Sequence, residues 1–190
     1  GIPDTLETET LEIPGYTALA AANSEPLRFN TENTAHYITD YQGELLDAIV
    51  DNMASLDNLS KQQILQERRL LAESGVISYA SLLPVIEKLT QETSYLVVSA
   101  VSSILQGLSL FVDEGTEVEA AYKKLLVTFN QFNFERLGFE PKAGEADEDE
   151  MVRQLVISNM IKGDDAKASA KASEIYAAHA DDISKLPAAI

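Results

Sequence analysis

The chain has no cysteine, no tryptophan and only two histidines in 190 residues. Without thiols there can be no disulfide framework, no thiolate metal site and no thiol nucleophile. The lack of cysteine suits a reducing compartment. His36 and His179 stand in no metal-ligand spacing and read as ordinary packed or surface residues. No glycine-rich phosphate loop and no G-x-S-x-G string occurs. No residue therefore presents itself as catalytic, and none as a metal ligand. Basic residues are scarce as well: 14 Lys and Arg stand against 31 Asp and Glu, a net charge of −17. Such a chain repels nucleic-acid backbones and anionic membrane surfaces, so neither is an expected partner. What the chain has in quantity is hydrophobic residues, 45% of the total, enough to fill a sizeable core.

The first residue is Gly, and the opening stretch GIPDTLETE is polar and acidic, so no secretory signal is expected in it. The expectation is a processed chain or a piece of something longer. The stretch on which the rest must be organised is Tyr95 to Val112, YLVVSAVSSILQGLSLFV, which carries no charge. On a helix its apolar side chains appear on every face, so it must be a buried helix or a membrane span. Its length permits a span. Four serines, Gln106 and Gly107 dilute its apolarity, and no Lys or Arg flanks it closely. A buried helix wrapped by others is expected, and no membrane span.

Residues 1–40 read differently from the rest. Leu6 to Ile13, closed by Pro14-Gly15, has a strand-like pattern, and Leu27–Phe29 and Ala35–Thr39 are further short strand candidates. From Asp40 the apolar period is helical. Leu45, Leu46, Ile49, Val50 and Met53 line a first helix. Ser60 with Gln63 makes a capping box for a second, which Gly75 stops. Ser78 caps a third through Leu89, kinked by Pro84. After the uncharged helix, Thr116 with Glu119 caps a long one, with Val118, Tyr122, Leu125, Phe129 and Phe132 on one face. Asp147 with Glu150 caps the next, which carries Met151, Val152, Leu155, Val156, Met160 and Ile161 and ends at Gly163. Asp164 or Asp165 starts an Ala-rich last helix. Short loops between seven helices imply antiparallel neighbours. The fold class is mainly α, a layered helix-hairpin stack with a β appendage.

Two arginines are out of place. Arg68 projects into the apolar face of the second helix, between Leu65 and Leu71, and Arg153 sits beside the apolar set of its own. A buried unpaired guanidinium is very costly, so each needs a carboxylate partner or a wet, concave surface. On the second reading they are candidate substrate-channel residues that meet peptide carboxylates. The acidic run Glu145 to Glu150 lacks the alternating ligands of a calcium loop and reads as carboxylates at a helix start.

Several segments resemble one family. Leu137 to Glu145, LGFEPKAGE, followed by Val152-Arg-Gln-Leu-Val156 and Gly163-Asp164, is similar to the C-terminal helical domain of the aminopeptidase N family, zinc metallopeptidases of the gluzincin type. Phe29 to Tyr41, Leu70 to Tyr79 and Glu92 to Tyr95 resemble further family segments, in the same order. The first of these departs from the family at Ala35 and Ile38. The family's zinc string H-E-x-x-H and its G-x-M-E-N string are absent from this chain. The resemblance implies that residues 1–40 are the last strands of a small β-sandwich plus a linker. It implies that residues 41–190 are a HEAT- or armadillo-like cap that closes over an active site in the parent's catalytic domain. On that reading the parent is a cytoplasmic zinc aminopeptidase acting on peptides, and this piece has no cofactor and no activity of its own. The competing reading is a free-standing helical-repeat module that binds a partner protein.

Overall fold

A computed structural model describes residues 26–32 and 34–180. Among them are seven α-helices and no strand: α1 (Gly43–Asp51), α2 (Asn58–Glu73), α3 (Leu83–Glu87), α4 (Tyr95–Leu108), α5 (Glu117–Leu137), α6 (Asp149–Lys162) and α7 (Ala166–Ala178). Short 3-10 turns follow α1, precede α3 and follow α4. The expected strand Leu6 to Ile13 lies outside the described residues. Leu27–Phe29 and Ala35–Thr39 are not strands. The Ala35 N–H and carbonyl both bond to the Asn30 side chain, and the Thr39 N–H donates to Glu67 Oε2 at 3.4 Å. A lone segment whose backbone groups bond to side chains has no ladder to join.

The helix boundaries follow local chemistry. Asp57, not Ser60, caps α2: its carboxylate accepts from the Ser60 N–H at 2.9 Å and the Ser60 hydroxyl at 2.6 Å. Those bonds, the hydroxyl's first, hold the Asp57 carboxyl below its usual range. Gln63 is turned instead to Glu67, donating to Oε1 at 3.0 Å. Pro84 kinks nothing, because it lies in the first turn of α3, where its missing N–H would have had no partner. Thr116 caps α5 as expected, accepting from the Glu119 N–H at 3.2 Å, and Asp165 caps α7 in the same way at Ala168. α6 starts at Asp149, and no side chain caps it from Glu148.

The uncharged helix, α4, is central in the packing: it lies against α2 on one side and α6 on the other, while α6 also packs on α5 and α7. Its cover is nonetheless one-sided. Val97, Val101, Ile104 and Leu105 are buried, and Ser103 and Gln106 face water. The helix ends at Leu108. Leu110 and Phe111, on the following 3-10 turn, are 81% and 64% exposed. Apolarity on every face therefore overstated what this domain itself covers.

The core has two parts. The larger unites Ile49, Met53, Ile64, Leu65, Leu82, Val85 and Ile86 with the buried face of α4 and with Leu126 and Phe129 of α5. The smaller unites Leu137, Val152, Val156, Met160 and Ala168, edged by Phe134 and Phe139. Burying each such aliphatic side chain contributes roughly 1.5–3 kcal/mol relative to exposure. The face of α5 that enters this core is rotated from the expected one. Val118 and Phe132 are exposed, and Leu126, Phe129, Asn130, Asn133 and Leu137 are buried. Burial of two amides is tolerable because each is satisfied: Asn130 Nδ2 donates to the Leu126 carbonyl at 2.8 Å, and Asn133 Nδ2 to the Glu92 carbonyl at 2.7 Å.

Candidate functional site

The two arginines singled out by the sequence are both buried, but in different parts of the stack and with different partners. Arg153, on α6, is 1% exposed and forms an ion pair with Glu145 from the α5–α6 loop. The hydrogen bond from Arg153 holds the Glu145 carboxyl below its ordinary range, helped by the Lys142 N–H···O geometry of the same loop and by the guanidinium charge. Arg68, on α2, is 3% exposed and makes only long bonds, to the Tyr41 carbonyl at 3.3 Å and to Ser81 Oγ at 3.5 Å. Among the described residues no carboxylate lies within 4.0 Å of it. Burial disfavours its charge, and the negative charge of Asp40 partly offsets that. The structure does not bring the two arginines together into one site.

Around Arg153 the acidic run does more than begin a helix. Asp149 Oδ1 takes Arg136 of α5 at 2.6 Å, and its Oδ2 accepts the Ala146 N–H at 2.9 Å. Burial pushes the Asp149 carboxyl up, but these bonds and the nearby Arg153 charge outweigh it and leave the group below its usual range. Glu148 Oε2 accepts the Tyr95 N–H at 3.0 Å, satisfying a donor at the start of α4. Arg136 also donates to Asn133 Oδ1, at 3.1 and 3.0 Å, and Asn133 in turn reaches Glu92, whose carboxylate takes Lys61 of α2 at 2.6 Å. A continuous polar path thus ties α2, the turn before α4, α5 and α6. The sequence signalled Arg153 because its helix face is plainly apolar. It gave no comparable signal for Lys61, Arg136 or Asn133, which lie on helices of mixed polarity.

Two open depressions stand out among the described residues. One, about 500 Å³, runs between residues 35–38 and the Gln63, Gln66, Glu67 and Leu70 side of α2. The other, about 370 Å³, lies between α4, α5 and α6, where Lys123 bridges Glu119 and Asp164 at 2.7 and 2.8 Å. Neither holds an arrangement of nucleophile, base and orienting group. His36 lies exposed at the rim of the first, and His179 Nδ1 sits 2.9 Å from the Ile175 carbonyl oxygen at the end of α7. Among the described residues no three His, Asp or Glu side chains are grouped to hold a metal ion, so these residues do not fit a zinc centre. No helix among them is long and apolar enough to cross a membrane.

Comparison with known proteins says where such a helical body occurs. The profile of the ERAP1-like C-terminal domain matches residues 27–190. The chain belongs to that family. An Aminopeptidase N of Lactococcus lactis subsp. lactis is 53% identical over 191 residues, covering 100% of this chain and 22% of its own length. The Aminopeptidase N of Lactococcus lactis subsp. lactis strain IL1403 is 44% identical, again over 100% of this chain and 23% of its own length. That of Lactobacillus delbrueckii subsp. lactis is 35% identical over 99% of this chain and 22% of its own length. The chain therefore spans less than a quarter of the length of the relatives it matches. No solved structure matches it significantly.

Proposed function

We propose that this chain is the non-catalytic C-terminal helical part of a cytoplasmic, zinc-dependent aminopeptidase that removes N-terminal residues from peptides. The observation that carries the reading is the 53% identity to an Aminopeptidase N, which covers all of this chain and 22% of that protein. A partial match of that kind fits a domain joined to a larger catalytic part in the same parent. It also weighs against a free-standing helical-repeat module. In this reading the helices form HEAT-like pairs that close over the active site and shape peptide access. The zinc and the substrate-amine site belong to the catalytic part.

Residues 1–40 would complete the end of a β-sandwich and the linker from it, and residues 41–190 the cap. Support comes from the segment at 34–38, which is exposed, belongs to no helix and would gain a ladder only from strands outside the described residues. Arg68 and Arg153, both nearly fully buried, are assigned to holding the helices in place before any contact with peptide.

The upstream reading frame tests this directly. It should encode H-E-x-x-H and G-x-M-E-N strings and join this chain without a start codon before Gly1. The purified 190-residue chain should leave an aminoacyl fluorogenic substrate uncleaved and hold no stoichiometric zinc, while the joined parent should cleave that substrate and lose activity to a chelator. Hydrolysis by the short chain would overturn the reading.

A further inference from the structure

Leu110 and Phe111 are two adjacent large apolar side chains on a short 3-10 turn, 81% and 64% exposed. They are not a loose tip. The turn follows α4 directly, and the Val112 N–H closes it on the Ser109 carbonyl at 3.2 Å. The Phe111 ring packs against Tyr79 with centroids 5.4 Å apart. Tyr79 in turn lies so close over α4 that a Cβ on Gly107 would stand 2.5 Å from its hydroxyl oxygen. The aromatic pair is thus fixed by the helix that organises the core, and it presents Leu110 outward.

Directly beyond the turn stand three exposed carboxylates, Asp113, Glu114 and Glu117. A rigid apolar knuckle with a one-signed polar flank has the composition of an interface centre and rim. The flank also selects the partner. A second copy of this chain would set acidic flank against acidic flank, on a chain already at −17. A surface with an apolar socket and Lys or Arg beside it would be attracted and oriented.

We propose that Leu110 and Phe111 dock into an apolar socket flanked by basic residues on a part of the same parent chain outside these 190 residues. The proposal rests on the reading of this chain as the C-terminal part of a longer peptidase. The matched relatives extend over more than four times the length of this chain, so a surface large enough to cover the knuckle is available in cis. The uncharged run continues past Leu108, where this domain's own core ends, because its last turn is covered from outside the domain.

The test is thiol accessibility in the intact parent, freed of other exposed cysteines; this chain contributes none. Leu110→Cys is compared with Ala54→Cys and Ser173→Cys, at other exposed positions. All three sites are on the surface, so folding is not at stake. The L110C thiol should react with a bulky maleimide about tenfold more slowly than the other two, as in the packed centre of an interface. Adding Asp113→Lys and Glu114→Lys should bring its rate back toward theirs. Equal rates for all three thiols would overturn the proposal. Protection of L110C that grows with protein concentration and accompanies a doubled mass would overturn it in favour of a second copy. An active parent with a freely reacting L110C thiol refutes the docking alone. A parent without peptidase activity but with a protected thiol refutes the functional reading alone.

Discussion

Gly163 offers the sharpest quantitative check of the packing. It ends α6 with φ near −78°, a conformation open to any residue, so backbone freedom is not its role. The left-handed residue here is its neighbour Asp164, at φ 57°. What Gly163 supplies is proximity. A Cβ there would lie 2.8 Å from Val127 Cγ2, 2.9 Å from the Lys123 carbonyl oxygen and 3.2 Å from the Asn159 carbonyl oxygen. The Asn159 carbonyl is the helix's own and accepts the Gly163 N–H, but the Lys123 carbonyl is a backbone atom of α5, which cannot rotate aside as a side chain can. Gly163→Ala must therefore push the end of α6 off α5, and overpacking of that kind costs about 1–3 kcal/mol. Ala also reduces the freedom of the unfolded chain, which offsets about 0.4–1 kcal/mol. Mid-range values of the two leave a net loss of about 1.3 kcal/mol. For a chain of this size that lowers the thermal midpoint by about 3–5 °C. Calorimetry or urea unfolding of the full chain measures it. A G163A chain as stable as the parent sequence would refute the close approach of α6 to α5.

The same measurements test three further expectations. Ile104→Ala, in the buried face of α4, should cost about 2–5 kcal/mol, whereas Leu110→Ala in the 190-residue chain should stay within about 0.5 kcal/mol. Equal losses would mean that the uncharged run is covered along its whole length. Arg153→Ala leaves Glu145 without its partner and should lower the thermal midpoint clearly. The double change Glu145→Leu with Arg153→Met removes both charges and should recover most of that loss. Stability should also fall on acidification. The Glu145 and Asp149 carboxyls are depressed below their ordinary values of 4.5 and 3.8, so their contribution is complete above those values. It is lost as pH falls through the lower folded-state values. A urea midpoint that is flat from pH 5 to about pH 2.5 would contradict both ion pairs.

The helices were legible because each leaves a local mark. Thr116 with Glu119, Asp165 and Gly75 punctuate the chain through bonds and dihedrals made within a few residues. Periodicity likewise placed α1 and α2, and the lack of any charge placed α4. It failed for α5, because Asn130 and Asn133 read as polar, and hence solvent-facing, until their partners on other elements are known. The candidate arginines were found for a related reason: a charge on a clearly apolar face stands out. Whether each was paired was not legible, since Glu145 lies across a loop from Arg153 and Arg68 has no carboxylate within reach among the described residues.

By itself, then, the sequence determined the helical class, the stops and starts at Gly75, Thr116 and Asp165, the central place of the uncharged run and the family likeness. All of these depend on short-range chemistry or on residue order. Only the tertiary structure decided which polar groups could be buried, that Gly163 is a contact and not a hinge, and that the uncharged run ends in an exposed knuckle. Those depend on where one helix lies against another, and burial is a property of the pair.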